Sequence, residues 1–247
     1  IQLIGTIALS FVFVPEFGWL KGIWYSLFHA ISSFCNAGFD LLGDSLANHQ
    51  QNVYLIMVVS ALIISGGLGF IVWRDLLEYH QKKKMTIHSK IALTVTGTLL
   101  LGGFVVFFFT EHNGATLVEG NMFQRLANTF FMSVTPRTAG YYSVDYLHMS
   151  HAGLILTMFL MYIGGTSGST AGGLKTTTLG VLLIQMRSML KGRTRAEAFG
   201  RTIRQGAVLR ALTLFFITLT LCVVAIMILS VTETIPKTSG IEYIAFE

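Results

Sequence analysis

Charge is scarce in this sequence: only 12% of its residues are Asp, Glu, Lys or Arg, about half the ~25% usual for soluble domains. Cysteine is scarcer. Cys35 lies beside a glycine turn and Cys222 inside an apolar run. Two isolated cysteines in apolar surroundings exclude a disulfide framework and a zinc cluster. The formal charge of +5 does not make a nucleic-acid surface, because the cations are confined to two windows. Of the 17 Lys and Arg, five lie in 74–90 and seven in 187–210, with only Asp75, Glu78 and Glu197 opposing them. That is the positive-inside distribution of a membrane protein and places both windows in the cytoplasm. The chain thus has no reading as a soluble nucleic-acid binder.

What is present is apolar. Of 247 residues, 53% are hydrophobic, the mean hydropathy is +0.65, and several runs approach or reach membrane-spanning length. The expected fold is therefore an all-α multi-pass membrane protein.

The chain is organised around Phe130–Asp145, FFMSVTPRTAGYYSVD, centred on Thr138, Ala139, Gly140 and Tyr141. A potassium-channel filter is a TVGYG loop whose backbone carbonyls replace the ion's water shell. The apolar segment 121–134 before it spans only ~21 Å as a helix, too short to cross a ~30 Å hydrocarbon core. It can enter partway and turn back, provided that protein or a watery cavity satisfies the turn. An ordinary outer turn after an interfacial helix fits the same residues.

A second copy favours the re-entrant reading. Residues 28–40, FHAISSFCNAGFD, align with a shift of 102, placing Phe28 on Phe130, Ala37 on Ala139, Gly38 on Gly140 and Phe39 on Tyr141. Residues 56–67, IMVVSALIISGG, align with 154–165, LILTMFLMYIGG, with a shift of 98. The repeated unit is helix, half-helix, glycine turn, helix, and such repeats place a site where they meet. Neither tetrapeptide contains an acidic residue, so carbonyl coordination of a monovalent ion fits better than a carboxylate ring. The half-helix C-terminal ends, each ~−0.5 charge, face the same cavity. Arg137, odd beside a cation path, is expected to turn away and hold half-helix carbonyls or a carboxylate.

In chain order, residues 1–14 read as the end of a helix that starts before the chain does, broken by Pro15–Gly18. Residues 22–34 are the first half-helix, 41–52 a polar outer loop, and 53–73 a full span with Trp73 as an interfacial anchor. Residues 91–109 return outward, and 110–120 form an outer loop with Glu111 and Glu119. A span from His148 to Ile163 then meets Gly164–Gly173, GGTSGSTAGG, five glycines in ten residues. Residues 179–189 resume the apolar run and 207–231 form a further full span. Glu233 lies where Glu16 and Glu111 lie in the earlier units, and 241–247 reads as the start of a third half-helix. The chain reads as a fragment at both ends.

Three readings fit Gly164, Gly165, Thr166, Ser167, Gly168, Ser169, Thr170, Ala171, Gly172 and Gly173. Gly168 and Gly173 have phosphate-loop spacing, but Leu174 separates Gly173 from Lys175 and no strand precedes. Gly164/Gly168 and Gly168/Gly172 have the GxxxG spacing of close helix packing. The third reading is a helix broken in mid-membrane beside a cavity, below the filter as a gate would be. Lys175 is a buried charge or a snorkelling lysine. His148 and His151 form an HxxH pair that reads as interfacial or packing rather than metal-binding. The Lys82–Lys84 run reads as a topology signal that also suits lipid headgroups.

TPRTAGYYSVD (135–145), FHAISSFCNAGFD (28–40) and GGTSGSTAGGLKTTT (164–178) resemble the ion-translocating subunit of the Ktr/Trk/HKT potassium transporter superfamily, TPRTAG most of all its bacterial KtrB-type branch. The resemblance covers essentially the whole chain. It implies four helix–pore-loop–helix repeats around one pseudo-fourfold, potassium-channel-like pore. Residues 1–80 would be most of repeat two, 81–90 a cytoplasmic loop, 91–190 repeat three with a broken second helix, 191–206 a second cytoplasmic loop, and 207–247 the start of repeat four. Asn36, Ala37, Gly38 and Phe39, with Thr138, Ala139, Gly140 and Tyr141, would be filter segments, and Gly164 to Lys175 the gate loop.

It further implies potassium uptake rather than enzyme catalysis, potassium or sodium as the ion bound by filter carbonyls, and no organic cofactor. A homodimer in a bacterial plasma membrane, bound to a cytosolic nucleotide-binding regulatory ring, completes the implied assembly. A sodium-permeable or sodium-coupled transporter of the same fold, a substrate-coupled transporter with broken helices, and a non-conducting receptor or scaffold are the alternatives. The charge count predicts that the 82–84 and 193–204 loops face the same side. In single-cysteine variants lacking Cys35 and Cys222, an impermeant thiol reagent applied to intact cells should label neither loop. Labelling of either from outside would invert the topology.

Overall fold

The computed structural model describes residues 1–111, 120–193 and 195–232. The readings placed on Glu119, Glu233 and 241–247 lie outside the described residues. Helices α1 (Gln2–Phe17) and α2 (Trp19–Phe34) pack closely along each other. Pro15 does not break α1, contrary to expectation. Its fixed φ is already helical and in the last turn it forfeits one hydrogen bond. The chain turns instead at Gly18, with φ 81°, and α2 starts at once, three residues before the expected Gly22.

Helix α3 (Val53–Leu68) starts at Asn52, whose side chain accepts the Leu55 amide. The expected straight span to Trp73 is not formed. At Gly69, φ 79°, the chain bends by 95° into α4 (Phe70–Lys82). Gly66, Gly67 and Gly69 are three weak helix formers in four residues, and the carbonyls freed there find partners outside the helix, as described below. Trp73, expected at the interface, turns its indole back across the bend to donate to the Ser65 carbonyl at 2.8 Å.

Helix α5 (Ile87–Glu111) runs ~38 Å at ~1.5 Å per residue, long enough to cross a bilayer. A capping box of Asn121 and Gln124 opens the second half-helix, α6 (Met122–Val134). Helix α7 (His151–Tyr162) is short, and α8 (Thr176–Leu190) follows only after an irregular segment. The second basic loop contains an unforeseen hairpin, β1 (Glu197–Ala198) with β2 (Arg201–Thr202). Helix α9 (Gln205–Thr232) is apolar all round, packs chiefly on α8, and is long and apolar enough to cross a membrane.

The main core joins both units. Leu9 and Phe13 from α1 and Ile56 and Ile63 from α3 meet Phe131 and Tyr141. An acidic residue at the outer end of each unit's first helix grips the segment before its second. Glu16 pairs with His49 at 3.0 Å, and the fully buried Glu111 accepts from Ser150, which caps α7.

Asp75 locks the α4–α5 turn, accepting from the Thr86 amide (3.0 Å), the Thr86 hydroxyl (2.5 Å) and the Ser89 hydroxyl (2.6 Å). Removing the carboxylate strands three donors. Asp75→Ala is expected to destabilise the protein by about 2 kcal/mol and to speed proteolysis at Lys82–Lys84. An unchanged thermal midpoint and cleavage rate would show that the lock contributes nothing.

Candidate functional site

The two half-helices end in turns of the same conformation. Asn36 and Gly38 have φ 52° and 72°; Thr138 and Gly140, at the matching repeat positions, have φ 64° and 80°. Ala37 and Ala139 between them do not share this left-handed φ. Alternating handedness turns successive peptide planes to one side, and glycine is the residue that takes such angles without strain. The turns also touch. A Cβ on Gly38 would stand 2.6 Å from the Ala139 oxygen, and one on Gly140 would stand 3.2 Å from the Gly38 Cα. Glycine is thus required at both by conformation and by space.

The carbonyls divide into two sets. That of Phe39 accepts from the Ser32 hydroxyl and the Tyr141 hydroxyl, each at 2.8 Å. That of Tyr141 accepts from the Thr135 hydroxyl. Among the described residues, the carbonyls of Asn36, Ala37, Gly38, Thr138, Ala139 and Gly140 accept no hydrogen bond. A cleft of about 390 Å³ lies beside them, lined by Ala37, Thr138, Gly140, Tyr142, Thr157 and Met161.

Arg137 is 5% exposed and turned away from the turn carbonyls. Contrary to the expected carbonyl or carboxylate, its side-chain partner among the described residues is the Thr96 hydroxyl on α5, at 3.4 Å. Its own carbonyl accepts from the Asn36 side chain at 3.4 Å, tying one turn to the other. Asp40 caps the loop after the first turn through the amides of Leu42 and Gly43. His148 pairs with Asp145 at 2.8 Å, so its partner is a neighbouring carboxylate.

Gly164–Gly173 is not helical, which removes the packing reading, and a helix rather than a strand precedes it, which removes the phosphate-loop reading. The segment leaves and returns at one place. Ile163 and Leu174 form a parallel bridge, in which the Gly164 amide donates to the Leu174 carbonyl and the Leu174 amide to that of Tyr162, each at 3.0 Å. The Thr176 amide, donating to the Gly165 carbonyl at 3.0 Å, starts α8 from this base.

The loop's tip joins three elements. Thr166, fully buried, donates its amide to the Gly67 carbonyl at 2.9 Å and its hydroxyl to that of Leu68, while the Phe70 amide donates to the Gly168 carbonyl at 3.2 Å. These are the carbonyls and the amide freed where α3 bends. The Thr170 hydroxyl donates to the Phe34 carbonyl at the end of α2 (3.1 Å), and the Gly172 amide donates to the Thr138 hydroxyl (3.1 Å). Lys175 donates to the Ala171 carbonyl at 2.7 Å, holding its charge against the loop. Ser167 meets Thr177 at 3.0 Å, hydroxyl to hydroxyl. The bend at Gly69 and the Thr96 contact are the parts missed from sequence. Gly66-Gly67-Leu68-Gly69 carried a signal for the first; nothing local marked the second.

Comparison with known proteins places this arrangement. The family model described as TrkH, a cation transport protein, matches residues 1–241. The chain is 81% identical over 247 residues to the potassium/sodium uptake protein NtpJ of Enterococcus hirae, covering all of this chain and 55% of that protein. It is 37% identical over 239 residues to the Ktr system potassium uptake protein B of Bacillus subtilis, covering 96% of this chain and 53% of that protein. The crystal structure of the potassium transporter TrkH from Vibrio parahaemolyticus superposes with a TM-score of 0.70 at 18% identity, covering 94% of this chain and 50% of that one. That likeness shows the fold. The chain spans about half the length of the curated relatives it matches. With a family match over nearly its whole length, the chain belongs to the TrkH family of cation transport proteins.

Proposed function

We propose that this chain forms part of a potassium-uptake pore, in which backbone carbonyls strip and hold the ion and the 164–175 loop gates it. The observation that carries the reading is the pair of touching turns. Each has alternating backbone handedness, and together they hold six carbonyls that accept no hydrogen bond among the described residues. A carbonyl without a donor is an oxygen ligand in waiting, and rings of such carbonyls replace hydration water in potassium filters. The ion-facing role then falls on 36–38 and 138–140. Phe39 and Tyr141 support the turns from behind, the buried Tyr141 through its hydroxyl. Residues 1–80 and 91–190 act as pore repeats two and three, and 207–247 begin the fourth.

The gate reading rests on position. The loop bonds to the end of α2 and to Thr138, directly at the turns, and Lys175 brings a positive charge against it. A cation leaving the turns meets this loop next. The name of the 81% identical relative, a potassium/sodium uptake protein, supports a second reading in which sodium also passes. The Ktr system name of the relatives fits a membrane transporter subunit with partner components. The assembly that the sequence resemblance implies is a homodimer in a bacterial plasma membrane, with a cytosolic nucleotide-binding ring docked on the face that carries the basic loops.

Two variants in a full-length transporter carrying this sequence test the two halves. Gly140→Ser places a side chain where φ is 80°, at ~1–2 kcal/mol of strain. Potassium affinity in a potassium-uptake-deficient cell should fall about tenfold, or sodium exclusion should weaken, with the amount of folded protein little changed. Unchanged affinity and selectivity would sink the filter assignment. Deleting Thr166–Ala171 should raise flux in reconstituted vesicles with the oligomer intact. Reduced flux together with lower thermal stability would assign the loop to folding instead.

A further inference from the structure

Away from the turns, α5 and α8 enclose a groove of about 470 Å³. The two helices touch where a Cβ on Gly180 would meet Ile91 at 2.3 Å and Val95 at 3.0 Å. Beside this contact the walls are mainly apolar, from Ile91, Val95 and Leu99 on one helix and Leu183 and Ile184 on the other, with Thr94 and Thr98 between them. The rim at the hairpin is charged. Arg187, Lys191, Arg193 and Glu197 stand there, with Phe199 of the hairpin turn closing the end. Arg193 and Glu197 neutralise each other at 2.7 Å, and Lys90 sits over the Phe199 ring at 5.6 Å. Among the described residues Arg187 and Lys191 form no salt bridge. Arg187 lies in the last turn of α8 and Lys191 is the residue that caps that helix, four positions on; both are exposed.

We propose that this groove is a binding site for an anionic phospholipid of the cytoplasmic leaflet, its acyl chain between α5 and α8 and its phosphate on Arg187 and Lys191. The occupant follows from charge and setting. The positive-inside distribution puts this rim on the cytoplasmic side. A basic mouth on an apolar interhelical groove at that depth matches an anionic headgroup with its tail. Elsewhere on α8, Met186 and Leu190 are exposed apolar side chains. A zwitterionic lipid offers the same tail but adds a cation that Arg187 and Lys191 would repel.

The site bears on transport through α8. That helix starts at Thr176, whose amide is bonded to Gly165 at the base of the loop. A tail seated between α5 and α8 therefore fixes the angle of the helix on which the loop is mounted. This consequence rests on the gate reading; binding does not.

The test uses the full-length protein in nanodiscs, with lipid that survives transfer to detergent identified by native mass spectrometry. Phosphatidylglycerol should be retained and phosphatidylcholine should not. Arg187→Gln with Lys191→Gln should cut retained phosphatidylglycerol about tenfold while the elution profile and thermal midpoint stay near those of the parent. Ile184→Trp, which keeps both charges and fills the groove, should cut it as well. Lys82→Gln with Lys83→Gln removes two cations elsewhere on the same face and should change nothing. Equal retention by the Arg187/Lys191 variant, equal loss in the Lys82/Lys83 variant, or equal retention of phosphatidylcholine would each overturn the proposal.

Discussion

Non-helical backbone at membrane depth must find its hydrogen-bond partners within the protein or in a water-filled cavity, and this structure is arranged around that constraint. An amide or carbonyl left unpaired in hydrocarbon costs several kcal/mol. Among the described residues, the chain leaves helical geometry inside the bundle at four places: the two turns, the bend at Gly69 and the loop of 164–175. Thr166 resolves two of them at once. Its amide and hydroxyl take the Gly67 and Leu68 carbonyls that the bend exposes, and the bend returns the Phe70 amide to Gly168. The broken α3–α4 and the broken α7–α8 are therefore one structure. Straightening either would strand the polar groups of the other.

The same bonds give the loop a defined strength. Its links to the turns and the bend are neutral hydrogen bonds, from Thr166, Thr170 and Gly172 and to Gly168. Each is worth only about 1 kcal/mol net where water can replace the partner. In a wet cavity, loop retraction would then require a few kcal/mol, a range that differential binding of a regulatory partner reaches. In a dry one the full desolvation penalty would apply, and the loop would be fixed.

The turns were legible because glycine and repetition coincide. Gly38 and Gly140 mark positions where φ is positive and where a Cβ would meet the facing turn, and the 102-residue shift showed them twice. The loop was legible from glycine density. Elsewhere, partners distant in sequence decided the outcome. Arg137 reaches Thr96, 41 residues away, and no local pattern announces that pairing. Phe39 and Tyr141 look like equal members of the two tetrapeptides. Only the fold reveals that their carbonyls are held by hydroxyls, of Ser32 on the first half-helix and of Thr135 capping the second. Trp73 has the position of an interfacial anchor, but the bend at Gly69 swings it back to Ser65. The bend itself was hidden by hydropathy, since 53–73 is apolar enough to read as one span; there helix propensity was the better guide.

The two units differ at a point that the repeat defines. Under the 98-residue shift, Gly66 and Gly67 align with Gly164 and Gly165. Both second helices fail within two residues of this glycine pair, one by a 95° bend at Gly69 and the other by opening into the loop after Tyr162. A shared weak point thus has two uses. In the first unit it exposes two carbonyls and an amide; in the second it frees a segment with the threonine and the carbonyl to cap them. If both units simply bent, these groups would face each other unmet. If both opened, two loops would compete for the space below the turns. The asymmetry between otherwise equivalent units is what lets the loop of one cap the bend of the other.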